Sequence, residues 1–352
     1  PGVIYHVFHE RGPDSRPDNP YIQSNAQEVQ RIKHLKIAEL RAQVKSWSWV
    51  QERTPVKVLL WNDTWEADDQ LFDLSDGSVE IVRDRTQIDN CEVVVFCPAT
   101  LDIAGGVEVD LPKMRSDTDQ LWVLLSREAA SHFPSKLDAD YCSHFDVVAG
   151  YQRGSNIWVP YVFPGLLQRL PEIVPVVERH AELASAWISS DWDAWGRVQF
   201  LSDVMLHMEV HSYGRKLKNV GHAIISNHHV RHQISSRYRF VMAFENARDI
   251  DYVTEKFFEP LMYGAVPVYF GAPNIEDFAP GDHCYIDASQ FVSAKELADF
   301  LTSMTDDDYM RYHEWRTRPL RESFVAMCNL RPVPMLSQVV QTVREKKSLA
   351  RG

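Results

Sequence analysis

From Pro55 onward the chain alternates short apolar runs with polar, turn-rich stretches. Val56–Trp61, Glu80–Val82, Val93–Cys97, Leu121–Leu125 and Phe145–Ala149 have the length and β-branched content of buried strands. A second series follows. Ala186–Ser189 predicts a strand, Arg197–Met208 a helix and Glu209–His211 a strand. Phe240–Phe244 and Ala265–Phe270 predict strands on either side of a helix near Glu255–Tyr263. Helical spacing returns at Ala294–Met304, Asp307–Trp315 and Leu336–Lys346. At the other end, residues 1–25 are rich in Pro, Asp, Asn and Arg and read as irregular. Between Ala26 and Trp49 the residues Val29, Ile32, Leu35, Ile37, Leu40, Val44 and Trp47 recur at helical spacing. They predict an amphipathic helix, either packed on the first domain or serving as a self-association stem.

Strands alternating with helices predict an α/β architecture built on open sheets. The proline-rich turn PYVFPG near Val159–Gly165, followed by Pro171 and Pro175, marks the boundary between the two series. The expected organisation is an N-terminal arm at 1–54, a first α/β domain at 55–170, a second at 171–330 and a C-terminal helix or tail at 331–352. In such folds ligands lie beyond the carboxyl ends of the strands.

Composition narrows the partners. The formal net charge is −12, from 49 acidic and 37 basic side chains, a surface that repels nucleic-acid backbones. A phosphorylated small molecule needs basic groups that converge locally. No run of about 18 apolar residues spans a bilayer. The chain starts at Pro1 without a leader, as a processed or truncated form would. The cysteines (Cys91, Cys97, Cys142, Cys284 and Cys328) form no C-x-x-C pair, and one or two disulfides stay open. Asn62-Asp63-Thr64 is an N-glycosylation sequon of little weight by itself.

The chemistry concentrates in Phe240–Phe278, FVMAFENARDIDYVTEKFFEPLMYGAVPVYFGAPNIEDF. Strand, polar loop, helix, glycine and buried strand follow one another. The loop brings Glu245, Asn246, Asp251, Tyr252, Thr254, Glu255 and Lys256 to one edge of the sheet. Thr254 is placed to cap the helix, whose free N–H groups favour an anion. Lys256 opposes the helix dipole, an arrangement that makes sense beside a phosphate. Glu255 suits a ribose diol, and Gly264 ends the helix.

This segment resembles the α1,3/4-fucosyltransferase family of inverting glycosyltransferases, closest to its plant-type branch, which includes core α1,3-fucosyltransferases. The residues that carry the resemblance are FEN at Phe244–Asn246, DYVTEK at Asp251–Lys256, GAVPV at Gly264–Val268 and GAPNIEDFAP at Gly271–Pro280. YQRGSNIWVPY at Tyr151–Tyr161, AWISS at Ala186–Ser190, Arg197 and VHSYGRKLKN at Val210–Asn219 are similar to further family segments. REAASHFP at Arg127–Pro134 is a shorter match, to the segment whose first carboxylate is the family's proposed base.

The resemblance implies a GT-B fold, two Rossmann-like domains facing a cleft, here with an N-terminal helical arm. It implies GDP-fucose as donor, a GlcNAc-containing glycan as acceptor and no catalytic metal or other cofactor. Asn246, Tyr252, Glu255 and Lys256 fall on donor contacts, Arg197 on a phosphate-contacting arginine and Glu128 on the catalytic base. The implied setting is the Golgi lumen, through a type II anchor that this chain lacks. The first-choice acceptor is the innermost GlcNAc of an N-glycan, with Lewis-type and protein-linked acceptors as alternatives. Three departures stand out: Pro260 inside the helix, where it is expected to kink it; Lys216 in place of a cysteine; and Cys328 alone where the family has a pair.

Other readings are blander. Glu255 and Lys256 could be an exposed pair, Arg197 a surface salt bridge and Glu128 a solvated carboxylate at a helix start. Asn246 could stabilise its own loop, Tyr252 could be packing, and Tyr151 and Arg153 could orient neighbouring loops. The D-x-D sequences at Asp117–Asp119 and Asp138–Asp140 read as solvated carboxylates. His207 with His211, and His228 with His229, make no convincing zinc site, the second pair reading as loop surface. A nucleotide-dependent oxidoreductase lacks its G-x-G-x-x-G after a first strand. A non-catalytic nucleotide- or glycan-binding protein on the same fold remains a rival.

Overall fold

The computed structural model describes residues 55–62, 79–98, 111–112, 119–134, 139–163, 165–173, 175, 183–221, 228–330 and 335–349. The sequence-predicted helix at Ala26–Trp49 lies outside these residues, as do Asp117, Thr118 and Asp138 of the D-x-D sequences.

Six parallel strands form the first sheet: β1 Val56–Leu60, β2 Val79–Val82, β3 Val93–Phe96, β4 Leu121–Ser126, β5 Val147–Gly150 and β6 Ile157–Trp158. Their order is β2-β1-β3-β4-β5-β6. Five more build the second: β7 Ala184–Ala186, β8 Val210–Ser212, β9 Phe240–Phe244, β10 Val266–Phe270 and β11 Ile286–Asp287, in the order β11-β10-β9-β7-β8. Counted from its own first strand, the first sheet runs 2-1-3-4-5-6 and the second 2-1-3-4-5, the doubly wound order whose switch point lies between strands one and three. In the second sheet that point falls between β7 and β9, where β9 releases the polar loop singled out above.

The central strands β3 and β9 are apolar and buried along their length because both faces are covered. Alternate residues serve opposite cores. Val93 and Val95 enter one cluster, which also takes in Met335, Leu336, Val339 and Val340 of the last helix, Met335–Leu349. Val94 and Phe96 enter the other, with Trp122 and Phe145. The last helix therefore returns to the first sheet.

Nine α-helices occur among the described residues: α1 Ala139–Cys142, α2 Leu166–Arg169, α3 Arg197–Met205, α4 His228–Ser235, α5 Glu255–Tyr263, α6 Ala294–Ser303, α7 Asp306–Arg311, α8 Glu322–Leu330 and α9 Met335–Leu349. Helices α3 and α6 cover one face of the second sheet through Leu201, Val204, Leu297 and Leu301. The other face carries α5 and α8 through Phe257, Leu261, Phe324 and Met327.

Several expectations change. His228 and His229 open α4 and do not lie in a loop. Helix α5 holds Pro260 inside it, as expected, and extends to Tyr263, with the Pro260 carbonyl accepting from Ala265 N at 3.0 Å beyond the αL residue Gly264. All five cysteines are free, and burial pushes the Cys284 and Cys328 thiols up to about 12. Lys216, the residue expected to replace a cysteine, forms an ion pair with Asp191. Asn62 uses its side chain to tie β1 to β3, donating to Cys97 O at 2.7 Å and accepting from Cys97 N at 3.0 Å.

Candidate active site

The second-sheet half of the site is the turn from β9 into α5. Glu245 follows β9 directly and is fully buried. Its carboxylate accepts the Thr254 backbone N–H at 2.7 Å and the Thr254 hydroxyl at 2.8 Å, closing the loop on itself. Thr254 caps the helix, its hydroxyl oxygen accepting from Lys256 N at 3.3 Å. The Lys256 ammonium then meets Thr254 Oγ1 at 3.0 Å, Glu255 at 3.0 Å and Glu245 at 3.4 Å. One cation thus stands at a helix N-terminus between two carboxylates, with 23% of its side chain exposed.

The charges fit that picture. Burial works against the Lys256 ammonium, but Glu255 and Glu245 outweigh it and hold its pKa above the ordinary value. For Glu255 burial is overcome by Lys256, with help from Arg231, and the carboxyl is held down to about 2. Glu245 goes the other way, because complete burial raises it more than Lys256 and Thr254 lower it. The outer carboxylate is a firm anion able to accept hydroxyl hydrogen bonds. The inner one is a structural strut.

Arg197 opens α3, set by Asp193, whose carboxylate caps Gly196, Arg197 and Val198 N–H at 2.9, 2.7 and 3.1 Å. Arg197 is 1% exposed, and its guanidinium donates to Phe244 O at 3.1 Å and Trp192 O at 2.9 Å. It lies beneath the loop and holds the end of β9, while its Nε has no partner. The surface salt-bridge alternative is thereby corrected: burial removes Arg197 from solvent. Asn246 is buried, and its Oδ1 likewise lacks a partner.

The first-sheet half comes from the loop after β4. Glu128 accepts a hydrogen bond from the Tyr252 hydroxyl at 3.0 Å, although 124 residues separate them. Burial lifts the Glu128 carboxyl above its ordinary range; Lys256 and the Tyr252 bond pull the other way. Tyr252 is itself buried, edge-on to Tyr151 at 5.0 Å and to Tyr161 at 6.1 Å between ring centroids. Burial and the neighbouring Tyr161 and Glu128 push its hydroxyl far up, so it stays a donor.

Glu128, Tyr252, Glu255 and Lys256 therefore converge, with Arg197 behind them. Glu128 does not start a helix, since the next regular element is the 3-10 turn Ala130–His132. Two participants had no role from sequence. Glu245 carried a signal, an acidic residue closing an otherwise apolar run. Asp249, which meets the Glu128 loop, carried none.

Two doubly wound sheets, with polar loops from both meeting at one set of strand ends, define a GT-B glycosyltransferase fold. Comparison with known proteins agrees. The family models for the N-terminal part of fucosyltransferases and for glycosyltransferase family 10 (fucosyltransferase) C-term match residues 53–162 and 178–349. The chain is 34% identical over 268 residues to alpha-(1,3)-fucosyltransferase 7 of Bos taurus, spanning 73% of this chain and 74% of that protein. It is 39% identical over 222 residues to GDP-fucose protein O-fucosyltransferase 3 of Xenopus laevis, spanning 58% and 47%. An alpha1,3-fucosyltransferase crystallised with GDP-fucose superposes with a TM-score of 0.54 at 13% identity, over 84% of this chain and 95% of that one, a likeness of fold. The protein belongs to glycosyltransferase family 10, the fucosyltransferases.

Proposed function

We propose that this fucosyltransferase takes L-fucose from GDP-fucose and transfers it, with inversion, to a GlcNAc hydroxyl. The observation that carries this reading is the 3.0 Å bond between Glu128 and Tyr252, which puts a carboxylate of raised pKa beside the Lys256 ammonium and the N-terminus of α5. Glu128 Oε takes the proton of the acceptor hydroxyl as its oxygen attacks the fucose anomeric carbon. The bond from that carbon to the β-phosphate oxygen breaks, and GDP leaves with the electron pair. A raised carboxyl pKa suits a general base, which contributes on the order of 10²–10⁴-fold.

Lys256 and the helix N–H groups stabilise the departing diphosphate. Arg197 adds buried positive charge from below and fixes the strand end from which the donor loop springs. Glu255 accepts from the ribose diol, and Asn246 Oδ1, orphaned in the free chain, takes a donor from the nucleotide sugar. With these cations in place the transfer needs no resident metal.

The GAPNIEDFAP segment supports the innermost GlcNAc of an N-glycan as acceptor, in α1,3 linkage. The 39% identity to a protein O-fucosyltransferase supports a second reading, a protein hydroxyl. Incubation with GDP-fucose and three acceptors tests both: an N-glycan with a free core, a β-galactosylated GlcNAc and a folded protein, each with and without chelator. Product mass on the N-glycan core, unchanged by chelator, is the expected result. Nucleotide binding with no transfer to any acceptor would make this a binding protein on a transferase fold.

A further inference from the structure

The loop that carries Glu128 is fastened to the donor loop at a point no motif marks. Asp249 lies three residues after Asn246. One of its carboxylate oxygens accepts the Ser131 N–H at 2.8 Å and faces the Tyr151 hydroxyl at 3.4 Å. The Tyr151 hydroxyl accepts the Ala130 N–H at 3.0 Å. The two amides that follow Glu128 and Ala129 are thus held by one buried tyrosine and one carboxylate from the opposite sheet. Ala129, Tyr151, Ala247 and Tyr252 pack into a small core directly behind.

We propose that Asp249, working through Tyr151 and the Ser131 amide, is a positioning residue that sets the base Glu128 against the donor loop. The proposal rests on the reading of Glu128 as the base. Asp249 touches no reacting atom. Without it Ser131 N–H loses its partner on the second sheet and the Tyr151 hydroxyl loses its acceptor, while Ala129 keeps its packing against Ala247 and Tyr252 and the Glu128 carboxylate its bond to Tyr252. A neighbouring bracket, Arg153 on Asp251 at 2.8 Å and on Asp277 at 2.6 Å, fastens the β5 loop but holds no atom of residues 128–131. Glu245 on Thr254 and Asn274 on Asp251 hold the donor face of the loop independently of Asp249. Loss of Asp249 therefore separates base placement from donor binding.

A misplacement of about 1 Å in a catalytic group costs up to about 100-fold. Asp249→Ala is expected to lower kcat by about 10–100-fold, with GDP affinity and donor KM within about two-fold. Asp249→Asn keeps an acceptor oxygen and should recover most of that loss. Tyr151→Phe keeps the packed ring and loses the hydroxyl, so it tests the same link if the alanine variant folds poorly. The decisive measurement is the double variant: in a Glu128→Gln background, Asp249→Ala should cost almost nothing more, since residues that act as one unit are strongly non-additive. Full kcat in both Asp249→Ala and Tyr151→Phe, with Glu128→Gln slowed but still measurable, overturns the positioning role alone. An equal loss from Asp249→Ala in both backgrounds overturns it too. Glu128→Gln with wild-type turnover sinks the base assignment, and the positioning role falls with it.

Discussion

Replacing Lys256 by methionine separates two roles that the structure gives one side chain. Lys256 is the cation offered to the diphosphate, and it is also the counter-charge of Glu245, a carboxylate with no exposed surface. Breaking a buried ion pair by removing one partner costs about 3–5 kcal/mol. Glu245 keeps two bonds from Thr254, and Lys256 is itself about a quarter exposed, so the low end, about 3 kcal/mol at pH 7, applies. Burial already raises the Glu245 pKa, and losing Lys256 raises it further, so the cost is present well above the ordinary 4.5 and fades as pH falls toward it. Loss of a charge-assisted bond to phosphate, about 1.5–3 kcal/mol, should weaken GDP binding by about 10–150-fold. Thermal melts from pH 5 to 8 and GDP titrations on Lys256→Met and on Lys256→Met/Glu245→Gln make the test. The double variant should regain stability and not affinity. If neutralising Glu245 restored GDP binding, Lys256 would be a strut and the phosphate would sit elsewhere.

Other consequences are simpler to read. With Glu128 as the base, kcat should fall on the acid side with a midpoint above the ordinary 4.5 of a glutamate, because burial outweighs Lys256 and Tyr252; a pH profile with no acid limb above that value contradicts the assignment. A Cβ at Gly214 would stand 2.1 Å from Ile188 O, so Gly214→Ala forces apart the loops after β7 and β8. A loss of about 1–3 kcal/mol in denaturant melts is expected. His313 is buried and held neutral down to about 3, mainly by burial, with Arg316 and Arg239 adding. Its contribution is present above the ordinary 6.5 and is lost as pH falls, reaching about 2 kcal/mol by pH 5. His313→Gln should flatten that part of the stability profile.

Legibility followed the range of the forces involved. Strand β9 and helix α5 were readable to the residue, because an all-apolar run, a threonine cap and an αL glycine are local signals. Strand β7 sits earlier than expected, at Ala184–Ala186, since Trp187 and Ile188 extend the apolar run past the point where its pairing with β8 and β9 ends. The two-residue edge strands β6 and β11 left no pattern to find. Helix α4, polar and rich in histidine, and helix α8, running into MCNLRP, lacked a clean apolar stripe. In the site, the motif placed Glu255 and Lys256 together by sequence proximity. That Tyr252 reaches Glu128, or Asp249 reaches Ser131, depends on contacts 124 and 118 residues apart that no local pattern encodes. Arg197 was placed at its helix start but not in its burial, where the Trp192 and Phe244 carbonyls accept from its guanidinium.

A crystal structure of the protein with GDP tests the central claim most directly. The diphosphate is expected at the N-terminus of α5, with the Lys256 ammonium in hydrogen-bond contact with a phosphate oxygen and Glu128 facing the β-phosphate across the cleft. Nucleotide bound at another edge of the sheet, with Lys256 still engaged only by Glu245 and Glu255, would contradict it.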